Sequence, residues 1–237
     1  MNTDNRAYYD AFSSGYDSRR SYGYHKLIDD QAAALVKRVA VGKTVLEVGC
    51  GTGLILERVC GFASEARGID VSPGMLEKAR ERGLEVGEGS ATALPFKDAS
   101  FDVAYSFKVL AHVPDFGLAL REMARVVRPG GHMVFDVYNR SSFRYLVKRA
   151  LGPMKTSEAF DEAAIGTRFL SVQQAKSYFP PGLRLIDTSG IRIATVHPGL
   201  LRVPWVADLI SQVEWKLMDS PLARFAGFVV FCLERTE

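Results

Sequence analysis

The residues best suited to chemistry in this sequence form a glycine-rich segment, EVGCGTG, that runs from Glu47 to Gly53. The segment follows a short β-branched run, so its glycines stand where a buried strand is expected to end. Glycines at such a point allow a tight turn and bring a ligand close to main-chain N–H groups at the start of a helix. The dinucleotide fingerprint G-x-G-x-x-G would require glycine at position 54, which is Leu54 here. The spacing therefore disfavours NAD.

A carboxylate, Asp70, ends the next predicted strand, 23 residues after Glu47. A carboxylate at that point can accept hydrogen bonds from both hydroxyl groups of a ribose. The alternative is that Asp70 only caps the turn at Ser72 and Pro73, where serine is a good N-cap and proline suits the first helical position. The glycines upstream favour the ribose role.

Hydrophobic periodicity predicts strands and helices in alternation, which favours a parallel sheet covered by helices on both faces. The first predicted strands span residues 44–49, 66–71, 84–86, 100–106 and 132–138. The first predicted helices span residues 26–40, 54–60 and 116–127, and a further helix opens at Ser72 and Pro73. Beyond residue 139 we predict helices over 141–151 and 171–179, a strand over 183–196, a helix through Val206, Leu209, Ile210, Val213 and Leu217, and a last strand over 227–233.

The composition excludes several classes of protein. With 30 basic and 27 acidic side chains, the formal net charge of +3 is too small for a dedicated nucleic-acid binder. Three widely spaced cysteines fit neither a disulfide scaffold nor a zinc cage and favour a reducing compartment. The N-terminus has no signal-peptide core, and the longest apolar run, residues 225–233, is too short to span a membrane. We therefore expect a cytoplasmic protein, and the scattered histidines predict no metal site.

Four segments in order resemble the successive motifs of class I S-adenosylmethionine (SAM)-dependent methyltransferases. The segments are VLEVGCGTG, GIDVSPGMLEKAR, ALPFKDASFDVAYS and REMARVVRPGGHMVF. The spacing E-x-G-x-G-x-G in the first is the SAM motif of that family. The sequence is most similar to the group that includes the ubiquinone- and menaquinone-biosynthesis methyltransferases (methyltransferase type 11) and many natural-product methyltransferases. The resemblance covers residues 44–138, and residues 8–20 more loosely.

This resemblance implies a fold. We expect an α/β, Rossmann-like, mostly parallel sheet of seven strands with helices on both faces and one antiparallel strand. Residues 225–233 are the best candidate for that strand, in a hairpin at the edge of the sheet. Because no linker divides the sequence, we expect a single domain over residues 1–237, with an N-terminal lid (1–30) and a cap region (140–222).

The resemblance also implies the residues that hold the cofactor. Glu47 opens the motif, and Asp70 would hold the ribose. Ser90 stands where the family often has an aspartate that receives the adenine amino group, and Ser106 would offer its backbone carbonyl to the ammonium group of the cofactor. The residues implied around the methionine portion are Gly49, Cys50, Gly51 and Gly53, and those implied around adenine are Val71, Met75 and Ala91.

The N-terminal segment is rich in aromatic residues, which indicates that it packs on something rather than forming a disordered tail. Its pattern is similar to the Y-D…Y-D-x-x-R lid of many small-molecule methyltransferases. That similarity implies that Tyr16 and Arg20 reach the carboxylate of the cofactor and that the segment closes over the substrate. The alternative is an N-terminal helix that only packs on the core.

His112 follows the fourth predicted strand, in the sequence His112-Val113-Pro114-Asp115. Ligands of open α/β sheets sit outside the carboxyl ends of the strands, so this loop should face the reacting methyl group. Histidine titrates near neutrality and can accept a proton from a phenol or hydroxyl group as that oxygen attacks. The alternative is structural: His112 braces the loop by bonding a backbone carbonyl, and some acceptors need no base.

A basic run without acidic residues begins at residue 140 (Arg140, Arg144, Lys148, Arg149 and Lys155). Such a run is commonly a solvated helix face. The alternatives are contact with an anionic substrate, with a phosphate-bearing partner or with a membrane surface.

The function that these features favour is transfer of the methyl group of SAM to an O, N or C nucleophile of a small molecule, with S-adenosylhomocysteine (SAH) as the product. A nucleic-acid partner is not expected, and the sequence does not predict an oligomeric state. Two alternatives remain: methylation of RNA or protein, and, in a different class, a nucleotide-dependent oxidoreductase or an inactive SAM-binding module.

Overall fold

The computed structural model describes residues 10, 17, 23–143, 145–146, 166–195, 201 and 204–237. The helices are α1 (Gly23–Ala40), α2 (Leu54–Cys60), α3 (Pro73–Glu81), α4 (Phe116–Val126), α5 (Val172–Lys176) and α6 (Pro204–Leu217). The strands are β1 (Thr44–Val48), β2 (Glu65–Asp70), β3 (Val86–Glu88), β4 (Phe101–Ser106), β5 (Val127–Asn139), β6 (Phe169–Leu170), β7 (Leu183–Ile191) and β8 (Phe228–Arg235). Two 3₁₀ turns, Leu110–His112 and Pro221–Phe225, follow β4 and α6.

The strands form one sheet in the order β3-β2-β1-β4-β5-β8-β7, and the two-residue β6 pairs with β5. Every pair is parallel except the two that β8 makes, with β5 and with β7. The expected Rossmann-like sheet with one antiparallel strand is confirmed. The expected hairpin at the edge of the sheet is confirmed as well, since β8 pairs antiparallel with the edge strand β7 and lies between β7 and β5. Phe225, the first residue of the predicted strand, belongs to the 3₁₀ turn Pro221–Phe225, and β8 begins at Phe228.

The two faces of the sheet are covered by different helices. Leu120 and Met123 of α4 pack with Ala104 of β4 on one face. Val36 of α1 packs with Val103 of the same strand on the other face. Because successive side chains of a strand point to opposite faces, β4 serves both layers and is buried along almost its whole length. This confirms the expected helices on both faces.

Residues 84–86 were expected to form the third strand, but β3 begins at Val86. The N–H of Leu84 still bonds the carbonyl of Ala79 in α3, at 3.3 Å, so this residue belongs to the end of the preceding helix. The Leu84 side chain packs under the glycine-rich segment, with Leu56 and Leu76. A short strand that starts beside a helix end has few residues to show its periodicity.

The strand expected over 183–196 ends at Ile191. Arg192 has a φ of 65°, which turns the backbone away from the sheet. The next three N–H groups, of residues 193–195, then bond the buried carboxylate of Glu214 at 2.7–3.0 Å. The Glu214 carboxylate of α6 thus accepts the backbone hydrogen bonds that a neighbouring strand would accept if β7 continued.

The helix expected through Val206 to Leu217 is confirmed as α6, and four residues of its predicted apolar stripe are partly buried, whereas the fifth is exposed. Leu209 is 56% exposed. Most of the helix expected over 141–151 lies outside the described residues, as do four of the five cations of the basic run. None of the helices in the described ranges is both long and apolar enough to cross a membrane.

Candidate cofactor site

The site is built around the carboxyl end of β1. The chain goes from β1 to β2 and β3 on one side and returns to β4 and β5 on the other, so β1 and β4 form a topological switch point. A crevice opens at such a point and is where open α/β sheets bind their ligands. The glycine-rich segment leaves β1 at this crevice and runs into α2.

The glycines of this segment are required by its backbone. Gly49, Gly51 and Gly53 have φ angles of 81°, 54° and 81°, a region that favours glycine. A Cβ atom on Gly49 would lie 2.4 Å from Cγ2 of Val109, in the loop after β4. One on Gly53 would lie 2.2 Å from Cδ1 of Leu84. Gly49 thus keeps the loop close to the crevice, whereas Gly53 serves the packing behind it.

Asp70, the last residue of β2, is bonded to the glycine loop. Its Oδ2 atom accepts the N–H of Gly51 at 2.9 Å, and its Oδ1 atom accepts the N–H of Ser72 at 2.9 Å. Ser72 in turn caps α3 by accepting the N–H of Met75. Burial raises the pKa of Asp70, and the backbone N–H groups oppose that rise. Asp70 therefore makes the turn contact of the structural alternative while also facing the crevice.

One open cavity lies in the crevice, at the place where open α/β sheets bind ligands. It brings together nine of the residues predicted from the sequence: Glu47, Gly49, Cys50, Gly51, Asp70, Val71, Met75, Ala91 and His112. The residues predicted to bind the cofactor thus line the same cavity as His112, the predicted base.

Three other predicted residues are not among those that line this cavity. Gly53 packs on Leu84 as described. The Ser90 hydroxyl is 2.9 Å from that of Thr92, within the turn after β3. The Ser106 hydroxyl donates to the carbonyl of Val48 at 2.7 Å and ties β4 to β1. The role expected of the Ser106 carbonyl stays a prediction.

Glu47 lies at the floor of the cavity and is 2% exposed. Its Oε2 atom accepts the hydroxyl of Tyr105 at 3.0 Å. Burial raises the pKa of Glu47 to about 8, against the opposing effects of this hydrogen bond and of nearby Lys108. In the absence of a further positive charge nearby, burial therefore favours the protonated form of this carboxyl group.

A buried ion pair joins α1 to the loop after β4. Asp29, 1% exposed, binds the ammonium group of Lys108, and both residues line the cavity. Lys108 has a φ of 62°, and its N–H donates to Asp136 at 2.8 Å. Burial raises the pKa of Asp136 to about 7. Sequence reasoning missed this pair because its members are 79 residues apart and neither belongs to a motif.

His112 ends the 3₁₀ turn after β4 and is 7% exposed. Its ring centroid lies 5.6 Å from that of Tyr138, which packs on Phe169 and Phe228. The turn is held by Arg168, whose side chain donates to the carbonyls of the two residues after His112 at 2.9 and 2.7 Å. Ring contacts therefore connect His112, through Tyr138 of β5, to Phe169 of β6 and Phe228 of β8.

Tyr16 and Arg20 lie outside the described residues, so their role stays a prediction. Two described residues of the same segment do contact the site. Asp10 accepts hydrogen bonds from the hydroxyl of Ser72 and, at 3.1 Å, from the N–H of Gly74. Asp17 bonds the hydroxyl of Thr52 in the glycine-rich segment at 2.7 Å and pairs with Arg82 at 2.7 Å.

The acidic lining of the cavity suits a cationic ligand. Asp29, Glu47 and Asp70 line the cavity, and Lys108 is the cation among its lining residues. SAM carries a positive sulfonium and an ammonium group, so these residues fit it. The close backbone approach at Gly49 and the carboxylate at the end of β2 fit its methionine and ribose portions. Within the described parts of the chain, no group of three His, Cys, Asp or Glu side chains is placed to hold a metal ion.

Comparisons with known proteins define the family. A family model described as "Methyltransferase domain" matches residues 46–135. The ubiquinone biosynthesis O-methyltransferase of Alkalilimnicola ehrlichii is 38% identical over 112 residues, 44% of this chain and 45% of that protein. The demethylmenaquinone methyltransferase of Bacillus licheniformis is 31% identical over 199 residues, 75% of this chain and 82% of that protein. The chain thus matches less than half the length of the first relative and most of the second.

Solved structures agree on the fold. A SAM-dependent methyltransferase of Thermotoga maritima, described as a possible histamine N-methyltransferase, superposes with a TM-score of 0.70 at 22% identity over 97% of this chain and 99% of that one. A SAM-dependent methyltransferase of Mesorhizobium loti gives 0.60 at 23% identity over 88% of this chain and all of that one. Fold and crevice define an α/β protein with an open ligand-binding crevice at a topological switch point. The chain belongs to the class I SAM-dependent methyltransferases, as its motifs predict.

Proposed function

We propose that this protein transfers the methyl group of SAM to an O, N or C nucleophile of a small molecule and releases SAH. The observation that carries the proposal is the common cavity, in which the glycine loop and Asp70 face the same space as His112 and Lys108. Methyl transfer requires the donor and the acceptor to meet in one water-poor space. Two relatives are named for steps of ubiquinone and menaquinone biosynthesis, which supports a small-molecule acceptor of that kind.

The residues that would hold the cofactor divide by position. Gly49, Cys50 and Gly51 would surround its methionine portion, and Asp70 would accept hydrogen bonds from its ribose. Adenine would lie against Val71 and Met75 at the start of α3, with Ala91 opposite. Because the Ser90 hydroxyl is engaged by Thr92, its contact with adenine would require that hydrogen bond to be shared.

When bound, SAM supplies a methyl group on a positively charged sulfur, which is a good leaving group. The protein therefore has to align the acceptor, and a general base is needed only where the nucleophile carries a proton. His112 lies on the wall of the cavity next to Tyr138 and is the residue we propose for that task. The bracing of its loop by Arg168 would hold the imidazole in one place.

We also propose that residues 1–237 act as one domain, with residues 1–30 as a lid and residues 140–222 as a cap region. The strands β6 and β7 support the single domain, since they belong to the same sheet as β1, and the cap would be formed by the other residues of the range 140–222. We propose a cytoplasmic location because the three cysteines form no disulfide, as is usual in a reducing compartment.

Calorimetric titration of the purified protein tests the cofactor site. We expect binding of SAM and SAH and no binding of NAD. Asp70→Ala should weaken SAM binding by about 1–3 kcal/mol, because it removes a charge-assisted acceptor. Glu88→Ala, on the neighbouring strand, is the control. Binding of NAD in place of SAM would contradict the proposal, and unchanged affinity in Asp70→Ala would contradict the ribose contact.

Isotope-labelled SAM identifies the reaction. The protein is incubated with a panel of phenols, amines and quinol-like compounds, and also with RNA and with protein. Label in a small molecule supports the proposal. Label in RNA or protein alone would replace it, and tight SAM binding with no transfer to any of these would indicate an inactive binding module.

A further inference from the structure

Exposed apolar side chains are unevenly distributed over the described residues. Nine large ones are exposed, and six of them lie in two segments, 143–146 and 205–222. We call these six the apolar patch: Phe143, Leu146, Trp205, Leu209, Trp215 and Leu222. A grouping of this kind indicates an interaction surface, whereas single exposed apolar residues do not.

The two segments that carry the apolar patch are joined in space. Asn139, the last residue of β5, donates from Nδ2 to the carbonyls of Arg224 and Ala226 at 2.8 and 3.0 Å. The ring of Phe143 stacks on that of Phe225, with centroids 5.0 Å apart. The turn that contains these partners packs on the end of α6 through Ala223 and Leu217. The patch therefore adjoins the carboxyl edge of the sheet, where the cofactor cavity also opens.

Helix α6 carries apolar side chains on both of its faces. Its inner side carries partly buried residues such as Ile210 and Val213, as an amphipathic helix should. Its outer side carries Trp205, Leu209 and Trp215, of which Trp205 is 72% exposed. No residue from 205 to 213 is buried. Large apolar side chains thus share the outer side of α6 with the polar residues Asp208, Gln212 and Lys216, a mixed composition suited to the boundary between water and an apolar medium.

The charge around the apolar patch is positive. Arg140, Lys216 and Arg224 are exposed, and no ion pair is found for them in the described part of the chain. The guanidinium group of Arg224 lies over Phe225 at 4.8 Å. In the sequence, Arg140 opens the run of five cations without an acidic residue that ends at Lys155. Asp208 is the acidic residue on the outer side of α6.

We propose that the apolar patch docks this protein on an anionic lipid bilayer. Tryptophan and leucine side chains beside arginine and lysine are the composition that binds the interface of such a bilayer. A second copy of the chain is a poorer occupant, because it would bring the cations of two patches together. The docking would turn the carboxyl edge of the sheet towards the lipid. The proposal goes beyond the proposed chemistry and does not depend on it.

Intrinsic fluorescence gives a direct test, because both tryptophans of the chain lie on α6. The full chain is mixed with vesicles of equal parts phosphatidylcholine and phosphatidylglycerol, and binding is followed by emission and by co-sedimentation. We expect a blue shift, sedimentation with the vesicles, and weaker binding as salt is raised. The double variant Trp205→Ser/Leu209→Ser should bind these vesicles about tenfold more weakly or worse, since it removes apolar area from the interface.

The controls separate docking from folding and from catalysis. Ile186→Ser removes an exposed apolar residue of β7 outside the patch and should leave vesicle affinity unchanged. Arg140→Glu/Arg224→Glu should weaken binding to anionic vesicles. Calorimetric SAM titration should be the same in all these variants, so a failure of the cofactor site is seen separately. The proposal is wrong if the chain does not sediment with anionic vesicles or if Trp205→Ser/Leu209→Ser binds them as tightly as the unaltered chain. It is also wrong if these two changes only dissociate a dimer.

Discussion

At the floor of the cofactor cavity, Glu47 is a carboxyl group whose ionisation is opposed by burial. Its pKa of about 8 means that the folded, cofactor-free protein retains a proton that the unfolded chain loses near the ordinary glutamate pKa of 4.5. A positive charge placed beside Glu47 would favour its ionised form.

A prediction about pH follows from this residue. Because the folded state binds the extra proton, the free energy of unfolding should fall as pH rises from about 5 to 8 and then level off. Asp136, with a pKa of about 7, contributes in the same direction over the lower part of this range. Glu47→Gln keeps an acceptor for Tyr105 and should reduce the fall, by an amount on the order of a kcal/mol or more. Urea unfolding at a series of pH values measures it, and an identical slope in both proteins would contradict the assignment.

A second prediction concerns His112 as the base that accepts a proton from the methyl acceptor. Once an acceptor is known, His112→Gln should lower turnover by about 10²–10⁴-fold with SAM affinity nearly unchanged, if the imidazole accepts the acceptor's proton. His132→Gln, in β5 and away from the cavity lining, is the matched control. Turnover that falls less than tenfold, or in step with the melting temperature, would assign His112 a structural role.

The loop between β1 and α2 and the loop after β4 are built to touch each other. The left-handed φ of Gly49 and the 2.4 Å approach of its missing Cβ to Val109 are two separate requirements for glycine. Gly51, two residues on, has only the first, since nothing lies within 4 Å of the position of its Cβ. A comparison of Gly49 with Gly51 therefore distinguishes the effect of backbone strain from the effect of steric contact within one loop.

Alanine substitutions at Gly49 and Gly51 should therefore differ in their cost to stability. Gly51→Ala should cost about 1–2 kcal/mol of stability through left-handed strain alone. Gly49→Ala should cost a further 1–3 kcal/mol or so through overpacking and should also weaken SAM binding. The double variant Gly49→Ala/Val109→Ala should recover part of the loss. Equal effects of Gly49→Ala and Gly51→Ala in urea unfolding, or no recovery in the double variant, would show that the two loops do not constrain each other.

Local signals explain which elements were predictable. The glycine spacing, the Ser72 cap and the apolar stripe of α4 are short-range features, and the elements that they predict are confirmed within a few residues. The Asp29–Lys108 pair and the position of β8 between β5 and β7 depend on contacts distant in sequence, which periodicity cannot show. Leu209 fails for another reason, since apolar residues on both faces of α6 leave the buried face undefined.

The N-terminal segment connects the site to the molecule as a whole. Asp10 bonds the turn that opens α3, and Asp17 bonds Thr52 in the glycine loop. These contacts lie on either side of Asp70. The main sheet and its two helical layers, by contrast, are built from residues that follow Gly23.

We predict that deletion of residues 1–22 weakens SAM binding but leaves the protein folded. The shortened protein should keep its far-ultraviolet circular dichroism and cooperative unfolding, because the described core begins with α1. Its affinity for SAM should fall by about tenfold or more, since the hydrogen bonds of Asp10 and Asp17 to the site are lost. The double variant Asp10→Ala/Asp17→Ala should reproduce much of that loss. Full SAM affinity in the shortened protein would contradict the lid, and loss of its structure would favour the core-packing alternative.

The place of β8 in the sheet has a consequence for how the protein is made. Strand β7 pairs only with β8 among the described strands, and β8 follows it by 36 residues of chain between Ile191 and Phe228. During synthesis β7 therefore emerges before β8, the described strand with which it pairs. The strands from β3 to β5 can assemble while β7 is still unpaired. Chains interrupted between these two strands would present unpaired strand edges at β5 and β7, and unpaired edges are the sites at which one chain pairs with another.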